Sequence, residues 1–417
     1  MKLKRAVVTG LGALTPLGNT VSSSWEGLIA GVSGADFIQS FDAEKFKTRF
    51  ACELKNFDPT DYIDKKEVRK LDRFSQTAVV AAEEAVKDAA LLQEGINTDR
   101  VGVIFSSGIG GLISLCEELK QFYTGDGVPR FSPFFVPKMI IDIAAGHIAM
   151  RFRFRGPNFA VVSACASSTN AILEGFNYIR NGKADIILAG GAESVINEAG
   201  IGGFNAMRAL SERNDSPKTA SRPFDLDRDG FVIGEGAGCL VLEEMEHALQ
   251  RGVPIYAEVA GGGASADAHH ITAPHPEGLG ALLVMQRALQ DAGMQPEDVD
   301  YINVHGTSTP LGDLAEIKAI QQVFGEAVYQ LNISSTKSMT GHLLGAAGAI
   351  EAIACILSMR DGKIPPTINH FTDDPQFDPR INFTFEKSQD REVRATLSNT
   401  FGFGGHNASV IFKKFVP

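Results

Sequence analysis

The 417-residue chain reads as an α/β protein built from two copies of one unit. Three observations predict this. A helix leading to a strand and a Gly-rich turn occurs twice, as Ala82–Ala89 to Val101–Gly108 and as Arg287–Gly293 to Asp300–Thr307. A strand, turn and helix then follow in each half, around Cys165 up to Asn181-Gly182-Lys183, and from Asn332–Lys337 to Asp361-Gly362-Lys363. Each half closes on a β-branched strand, Cys239–Leu242 and Ala408–Phe412. The join falls near Arg251-Gly252-Val253-Pro254, giving halves 1–253 and 254–417. Packed face to face about a pseudo-twofold axis, they would set the Cys165 turn opposite the Lys337–His342 region.

Composition narrows the function. Hydrophobic content is 44% and charged content 21%, ordinary for a globular chain. The formal charge of −11 argues against nucleic acid, so any basic footprint is local. The N-terminus runs straight into a strand without a long apolar stretch. No segment approaches the roughly 18 apolar residues that a membrane helix needs. The five cysteines (Cys52, Cys116, Cys165, Cys239 and Cys355) are scattered, with no CxxC, which suits a reducing compartment. The expectation is a cytoplasmic protein without signal, anchor or structural zinc.

In Val161–Ser168 an apolar strand turns into a small-residue helix at Cys165. Backbone N–H groups at a helix start favour thiolate and can also hold a negative oxygen. Three second-half segments are unlike ordinary connections. His305-Gly306-Thr307-Ser308-Thr309 takes a histidine out of an apolar strand and follows it with hydroxyls. Lys337-Ser338-Met339-Thr340-Gly341-His342 precedes a Gly/Ala-rich helix that carries Glu351. Asn399-Thr400-Phe401-Gly402-Phe403-Gly404-Gly405 is a loop whose backbone can approach a ligand or change shape. These polar groups fall at strand-to-loop junctions, where α/β folds place their sites. A thiol, two imidazoles, a lysine and a glycine loop suit acyl transfer to sulfur followed by stabilisation of a carbanion or enolate.

With Ala164-Cys165-Ala166-Ser167-Ser168, His305–Thr309 and Thr336–His342 in place, the chain resembles the β-ketoacyl-[acyl-carrier-protein] synthases over essentially its whole length. Gly341–Gly348 and Gly108-Ile109-Gly110-Gly111-Leu112 are most similar to the elongating synthase II branch. The resemblance implies a thiolase-like fold, two duplicated α/β halves forming a five-layered αβαβα core. It implies a ping-pong decarboxylative condensation with malonyl-acyl carrier protein. Cys165 would carry the acyl group, and the N–H groups of Cys165 and Phe403 would form the oxyanion hole. Neutral His305 and His342 would stabilise the enolate, and Lys337, held by Glu351, would orient His342. Thr307 and Thr309 would hold the phosphopantetheine arm, which the substrate itself brings; no other cofactor is expected.

The resemblance extends to the pocket and the surface. Ile109, Phe231 and Phe403 would control acyl and malonyl access, with Phe401, Gly402 and Gly404 in a mobile loop and Gly261–His270 as a second gate. Asn303, Glu351, Ser398 and Asn399 match positions that hold a structural monovalent cation in some relatives. Lys66, Arg69 and Lys70, extended by Arg130 and Arg208, would dock the acidic carrier protein. A homodimer is implied, with Phe131–Pro137 as an apolar contact.

Other signals lead nowhere. Asp225–Gly230 starts like a calcium loop, but Gly236 stands where the closing glutamate belongs. His269, His270 and His275 lack acidic or thiol partners at metal spacing. Gly10-Leu11-Gly12 lacks the third glycine of a dinucleotide loop, and no phosphate loop occurs. Synthase III uses His and Asn where this chain has two histidines. Degradative thiolases need a second catalytic cysteine, whereas Cys355 sits in an apolar helix run. A non-catalytic chain-length subunit would lack Cys165. Synthase I, or a dedicated polyketide or polyene condensing enzyme, is the competing reading. Two departures from the usual synthase II pattern are Ala166 and His406, both positions where threonine is frequent.

Overall fold

The computed structural model describes residues 3–416. Ten strands form one hydrogen-bonded sheet that repeats itself. The first half contributes β1 (Ala6–Leu14), β2 (Val101–Ser106), β3 (Asn158–Phe159), β4 (Ile186–Glu193) and β5 (Gly236–Glu244). The second contributes β6 (Ala257–Ala266), β7 (Tyr301–Asn303), β8 (Asn332–Ser334), β9 (Ala395–Gly402) and β10 (His406–Lys413). The spatial order is β8-β7-β9-β10-β6-β1-β5-β4-β2-β3. Read outward from the β6–β1 seam, both halves show the same sequence of pairings. Two antiparallel pairs are followed by two parallel ones. The seam itself is short, with Ala6, Val7 and Val8 facing Val259, Glu258 and Ala257.

Six helices complete the layers: α1 (Arg73–Asp88), α2 (Ile143–Phe152), α3 (Ser167–Arg180), α4 (Leu279–Ala292), α5 (Pro310–Phe324) and α6 (Ala347–Asp361). Helices α3 and α6 touch each other and strands of both halves, so they form the middle layer. Helices α1 and α2 cover the outer face of β1–β5, and α4 and α5 cover that of β6–β10. This is the expected five-layered αβαβα arrangement. Because successive strand residues point to opposite faces, each strand feeds two cores. Ile187, Ala189, Leu240 and Leu242 pack on the middle layer, while Ile186, Leu188, Cys239 and Val241 face α1 and α2. Likewise Val410 and Phe412 point inward, and Ile411 outward. Two-face burial explains why these segments read as continuous apolar runs rather than as alternations.

Glycine pairs let the outer helices close onto the central strands. A Cβ at Gly10 or Gly12 would lie 2.5 Å from the Ala85 carbonyl oxygen or 1.9 Å from that of Ala81, both on α1. At Gly261 it would meet the Ala292 nitrogen at 2.4 Å, and at Gly263 the Val284 oxygen at 2.4 Å, both on α4. Bulges near these pairs free strand N–H groups, and acidic side chains at the helix ends take them up. The Leu11 N–H donates to Asp88 at 2.9 Å and the Gly262 N–H to Asp291 at 3.0 Å. Gly10 and Gly12 therefore serve helix–strand contact. Overpacking at this depth costs about 1–3 kcal/mol. Gly12→Ala and Gly263→Ala should each lower the urea midpoint by that order. Gly203→Ala, whose Cβ meets nothing within 4 Å in helix Glu198–Ala206, should leave the midpoint unchanged or raise it.

Candidate active site

The strand β3 leads into an extended segment that turns sharply at Ala164, which adopts φ +51° although it is not glycine. The turn is knitted locally. The Ser163 N–H donates to Ser167 Oγ at 2.9 Å, Ser167 Oγ donates to the Ala164 carbonyl at 2.7 Å, and Asn170 Nδ2 donates to Ser163 Oγ at 2.7 Å. Cys165 follows, 7% exposed, two residues before α3 begins. The backbone N–H groups of Phe403 and of Cys165 itself lie near enough to the sulfur to favour its charged form. Gly402 makes that approach possible, since a Cβ there would sit 2.7 Å from the Ser163 oxygen and 3.1 Å from the Cys165 nitrogen.

Burial pushes the Cys165 thiol up to about 12. The Lys337 charge and the two N–H groups pull the other way and are outweighed. The helix start alone favours thiolate; desolvation of the charged sulfur is the larger effect, and the resting group is the thiol.

His305 lies two residues beyond β7. Its N–H and that of Gly306 donate to the two carboxylate oxygens of Glu316 on α5, at 2.9 and 2.8 Å. His342 is held through its N–H to the Val232 carbonyl at 2.7 Å, after a short helix Lys337–Thr340. The two imidazoles stand edge to face, centroids 5.2 Å apart at 88°. Phe231 packs edge-on to His342 at 5.3 Å, and Phe401 lies 5.7 Å from His305. Burial, reinforced by the charge on Lys337, holds both histidines well below their ordinary value, so they are neutral. Lys337 is itself 2% exposed and paired with Glu351 on α6.

A cavity of about 400 Å³ opens on this set. Cys165, Phe231, His305, Thr307, Thr309, His342, Phe401, Gly402 and Phe403 all line it. The Thr307 and Thr309 hydroxyls lie 3.0 Å apart, flanking Ser308 at φ +66°. Asp313 and Arg222 fix that turn through the Ser308 N–H and hydroxyl. Lys337 and Glu351 sit behind the wall. Gly404 is off the wall, its N–H on the Ile271 carbonyl at 2.7 Å, which clasps the glycine loop to the segment after β6. His406, exposed, stands beside Gly404.

Other expected residues lie elsewhere. Ile109 is 39% exposed and off the cavity wall, its N–H on Glu193 at 3.2 Å. Of the five basic residues, only Arg208 reaches the cavity. Lys66 and Arg69 are exposed on and just after a one-turn helix, while Lys70 and Arg130 pair with Glu67 and Asp126.

Three buried oxygens beside the Lys337–Glu351 pair have no hydrogen-bond partner: Asn303 Oδ1, Glu351 Oε2 and Ser398 Oγ. Asn303 and Ser398 face each other across β7 and β9. An all-oxygen set of this kind fits a hard cation. The Asn399 side chain is already engaged with Ser409 and Glu316. Among the described residues no cluster of three or more His, Cys, Asp or Glu groups is arranged for a metal.

Glu316 and Glu193 were missed in the sequence. Burial pushes the Glu316 carboxyl up to about 7. The available signal was a lone acid in an apolar context, between Ala315 and Ile317 on a helix, or ending the strand Ile186–Ala192.

Since burial holds Cys165 as a thiol, its alkylation by iodoacetamide, followed on the Cys165 peptide, should rise steadily from about pH 7 to pH 10 without a plateau. Lys337→Met combined with Glu351→Gln, which leaves no lone buried charge, should slow it at every pH. A plateau below about pH 9 would show that burial does not control the sulfur.

Comparison with known proteins agrees with this geometry. Residues 4–248 match the Beta-ketoacyl synthase, N-terminal domain family, and residues 256–371 its C-terminal counterpart. The chain is 52% identical over 412 residues to 3-oxoacyl-[acyl-carrier-protein] synthase 2 of Staphylococcus aureus, covering 99% of each. It is 47% identical over 415 residues to the protein of that name from Synechocystis, covering 100% of this chain and 99% of that one. A solved Beta-ketoacyl synthase from Burkholderia phymatum superposes with a TM-score of 0.91 at 36% identity, covering 99% of this chain and 100% of that one. The ishigamide ketosynthase/chain length factor gives 0.90 at 36%, with the same coverage. With both halves matched and full-length relatives at such identity, the chain belongs to the β-ketoacyl synthase family.

Proposed function

We propose that the protein is an acyltransferase of the synthase II type, condensing malonyl-acyl carrier protein with an acyl group carried on Cys165. The observation that carries the reading is Cys165, two neutral imidazoles and the Phe401–Phe403 loop on the wall of one cavity. In the first half-reaction the sulfur attacks the incoming thioester carbonyl. The oxygen that becomes negative lies at the N–H groups of Cys165 and Phe403, and the thiol proton ends on the departing pantetheine sulfur. Malonyl thioester then loses CO₂, and the charge develops on its carbonyl oxygen. His305 and His342, neutral at physiological pH, donate hydrogen bonds to that oxygen without becoming cations. The enolate carbon attacks the acyl-cysteine carbonyl, sulfur leaves, and burial returns it to the thiol with one proton from solvent.

In this reading residues 1–253 carry the nucleophile and 254–417 supply His305, Lys337, His342 and the glycine loop. Lys337, with Glu351, fixes the potential around His342, and Glu316 holds the His305 turn. Thr307 and Thr309 offer hydroxyls to the pantetheine amides. Asn303, Glu351 and Ser398, with the Asn399 carbonyl, would hold a structural monovalent cation that neutralises the buried acid. The carrier-borne arm is then the one prosthetic group the reaction uses. Arg208 at the mouth, with Lys66, Arg69, Lys70 and Arg130, forms the docking surface for an acidic carrier. A solved relative described as a ketosynthase in complex with an acyl-carrier protein supports this partner. The exposed Phe134 and Val136, with Val162 three residues after edge strand β3, favour a homodimer. Five free cysteines suit a reducing cytoplasm, and no helix among the described residues is long and apolar enough to cross a membrane.

Cys165→Ala should abolish condensation across acyl-carrier substrates from short to long, yet still release CO₂ from malonyl-carrier. Full condensation by this variant would overturn the mechanism. Reversing charge with Arg69→Glu and Lys70→Glu should raise KM for carrier substrates roughly tenfold while sparing small thioester analogues, as expected for electrostatic docking. Equal loss with both would remove these residues from the docking surface.

A further inference from the structure

Duplication gives the molecule a second copy of the nucleophile turn. In the first half Ala164, at φ +51°, precedes Cys165 and a short helical turn; in the second, Leu344, at φ +47°, precedes Gly345 and a matching turn. Cys165 lines the cavity. At Gly345 the N–H donates at 3.0 Å to Oε2 of Glu193, a fully buried acid at the end of β4. The same oxygen takes the Gly108 N–H at 2.7 Å, and Oε1 takes the Ser107 hydroxyl at 2.7 Å and the Ile109 N–H at 3.2 Å. The second turn's N–H is thus filled by an anion of the chain itself.

The segments joined by this carboxylate are the ones that flank Cys165. An apolar cluster contains Cys165, Val195, Ile196, Ile201, Phe231 and Leu344, with Leu112 packed against it. Val195 and Ile196 follow Glu193 after one residue, Ser194. Leu344 precedes Gly345. Ile109 lies on the turn that Glu193 anchors, and Leu112 begins the helix that follows it. We propose that Glu193 is a positioning residue for acyl-chain selection: its carboxylate ties the β2 turn, the end of β4 and the second-half turn into one rigid wall beside the nucleophile. The inference rests on Cys165 being the acyl-carrying residue.

Both oxygens accept two donors each, so an amide cannot replace the acid; its NH₂ would face two N–H or O–H groups. A short acyl group touches only the immediate neighbours of Cys165, whereas a long one runs along the wall. The test is acylation of Cys165 by short and long acyl thioesters in Glu193→Gln and Glu193→Ala, read by mass spectrometry, with malonyl decarboxylation measured in parallel. Long-chain acylation should fall at least tenfold relative to short-chain acylation, and by more than decarboxylation falls. Formate, small enough to occupy the space left in Glu193→Ala, should restore the ratio there and not in Glu193→Gln. Parallel loss of short-chain acylation, long-chain acylation and decarboxylation would reduce Glu193 to a folding role and overturn the proposal, as would a folded Glu193→Gln with an unchanged ratio. A wild-type protein that forms no acyl-Cys165 would overturn the condensing reading, and this one with it.

Discussion

The ammonium of Lys337, buried and paired with Glu351, sits within the field of the cavity's main titratable groups. It lowers the thiol of Cys165, the carboxyl of Glu316 and both imidazoles, adding to burial at the histidines and opposing it at the sulfur and the acid. A buried ion pair is rarely favourable for stability alone, because two desolvated charges must be repaid by their mutual attraction. Here the Lys337 charge reinforces the neutral imidazoles that burial sets, the state on which the proposed enolate chemistry depends. Imidazoles that stay neutral donate hydrogen bonds to a developing oxyanion without storing charge in the resting site. The orphaned Glu351 oxygen shows that Lys337 does not use the whole carboxylate.

Backbone strain does the rest of the positioning. Ala164, Ser308 and Leu344 all take positive φ without being glycine, and each stands in a turn that carries or mirrors site residues. Such conformations persist only where surroundings over-determine them; Ser167 and Asn170 do so at Ala164, and acids do so at Ser308 and beside Leu344. Glu193 grips the Ser107–Ile109 turn and Gly345, Glu316 grips His305 and Gly306, and Asp313 grips Ser308. Buried acids in and behind the cavity wall therefore help set its shape, while the thiol and imidazoles that face the cavity carry its proposed chemistry.

Much of this was legible in the sequence because the chain is duplicated. Helix Ala82–Ala89 and helix Arg287–Gly293 end alike, and their aspartates receive equivalent strand N–H groups in the fold. Cys165, His305 and His342 stood out as polar residues at strand ends, and the fold brings them to one cavity. What stayed hidden acts through the backbone. No pattern of residue types shows that Glu193 and Glu316 bind main-chain N–H groups, since the partners of such bonds carry no side-chain signature. Burial was equally hard to read. A helix start argues for thiolate, yet only the packed site shows how little water reaches the sulfur. Ile109 shows the same limit: its neighbours suggest a pocket wall, and in the single chain it is 39% exposed.

The seam at the centre of the sheet bears on how the chain is made. Strand β1 precedes the other strands described, yet its partners are β5, from Gly236, and β6, from Ala257. An apolar strand thus leaves the ribosome with both edges unpaired and waits for most of the first half before either is covered. Contacts at such separation are slow to form, and open strand edges invite association with other chains in the meantime. Placing the N-terminal strand at the middle of the molecule makes the fold cooperative across its halves. It also makes the nascent chain vulnerable for longer than a meander of the same size, a burden carried by biosynthesis rather than by catalysis.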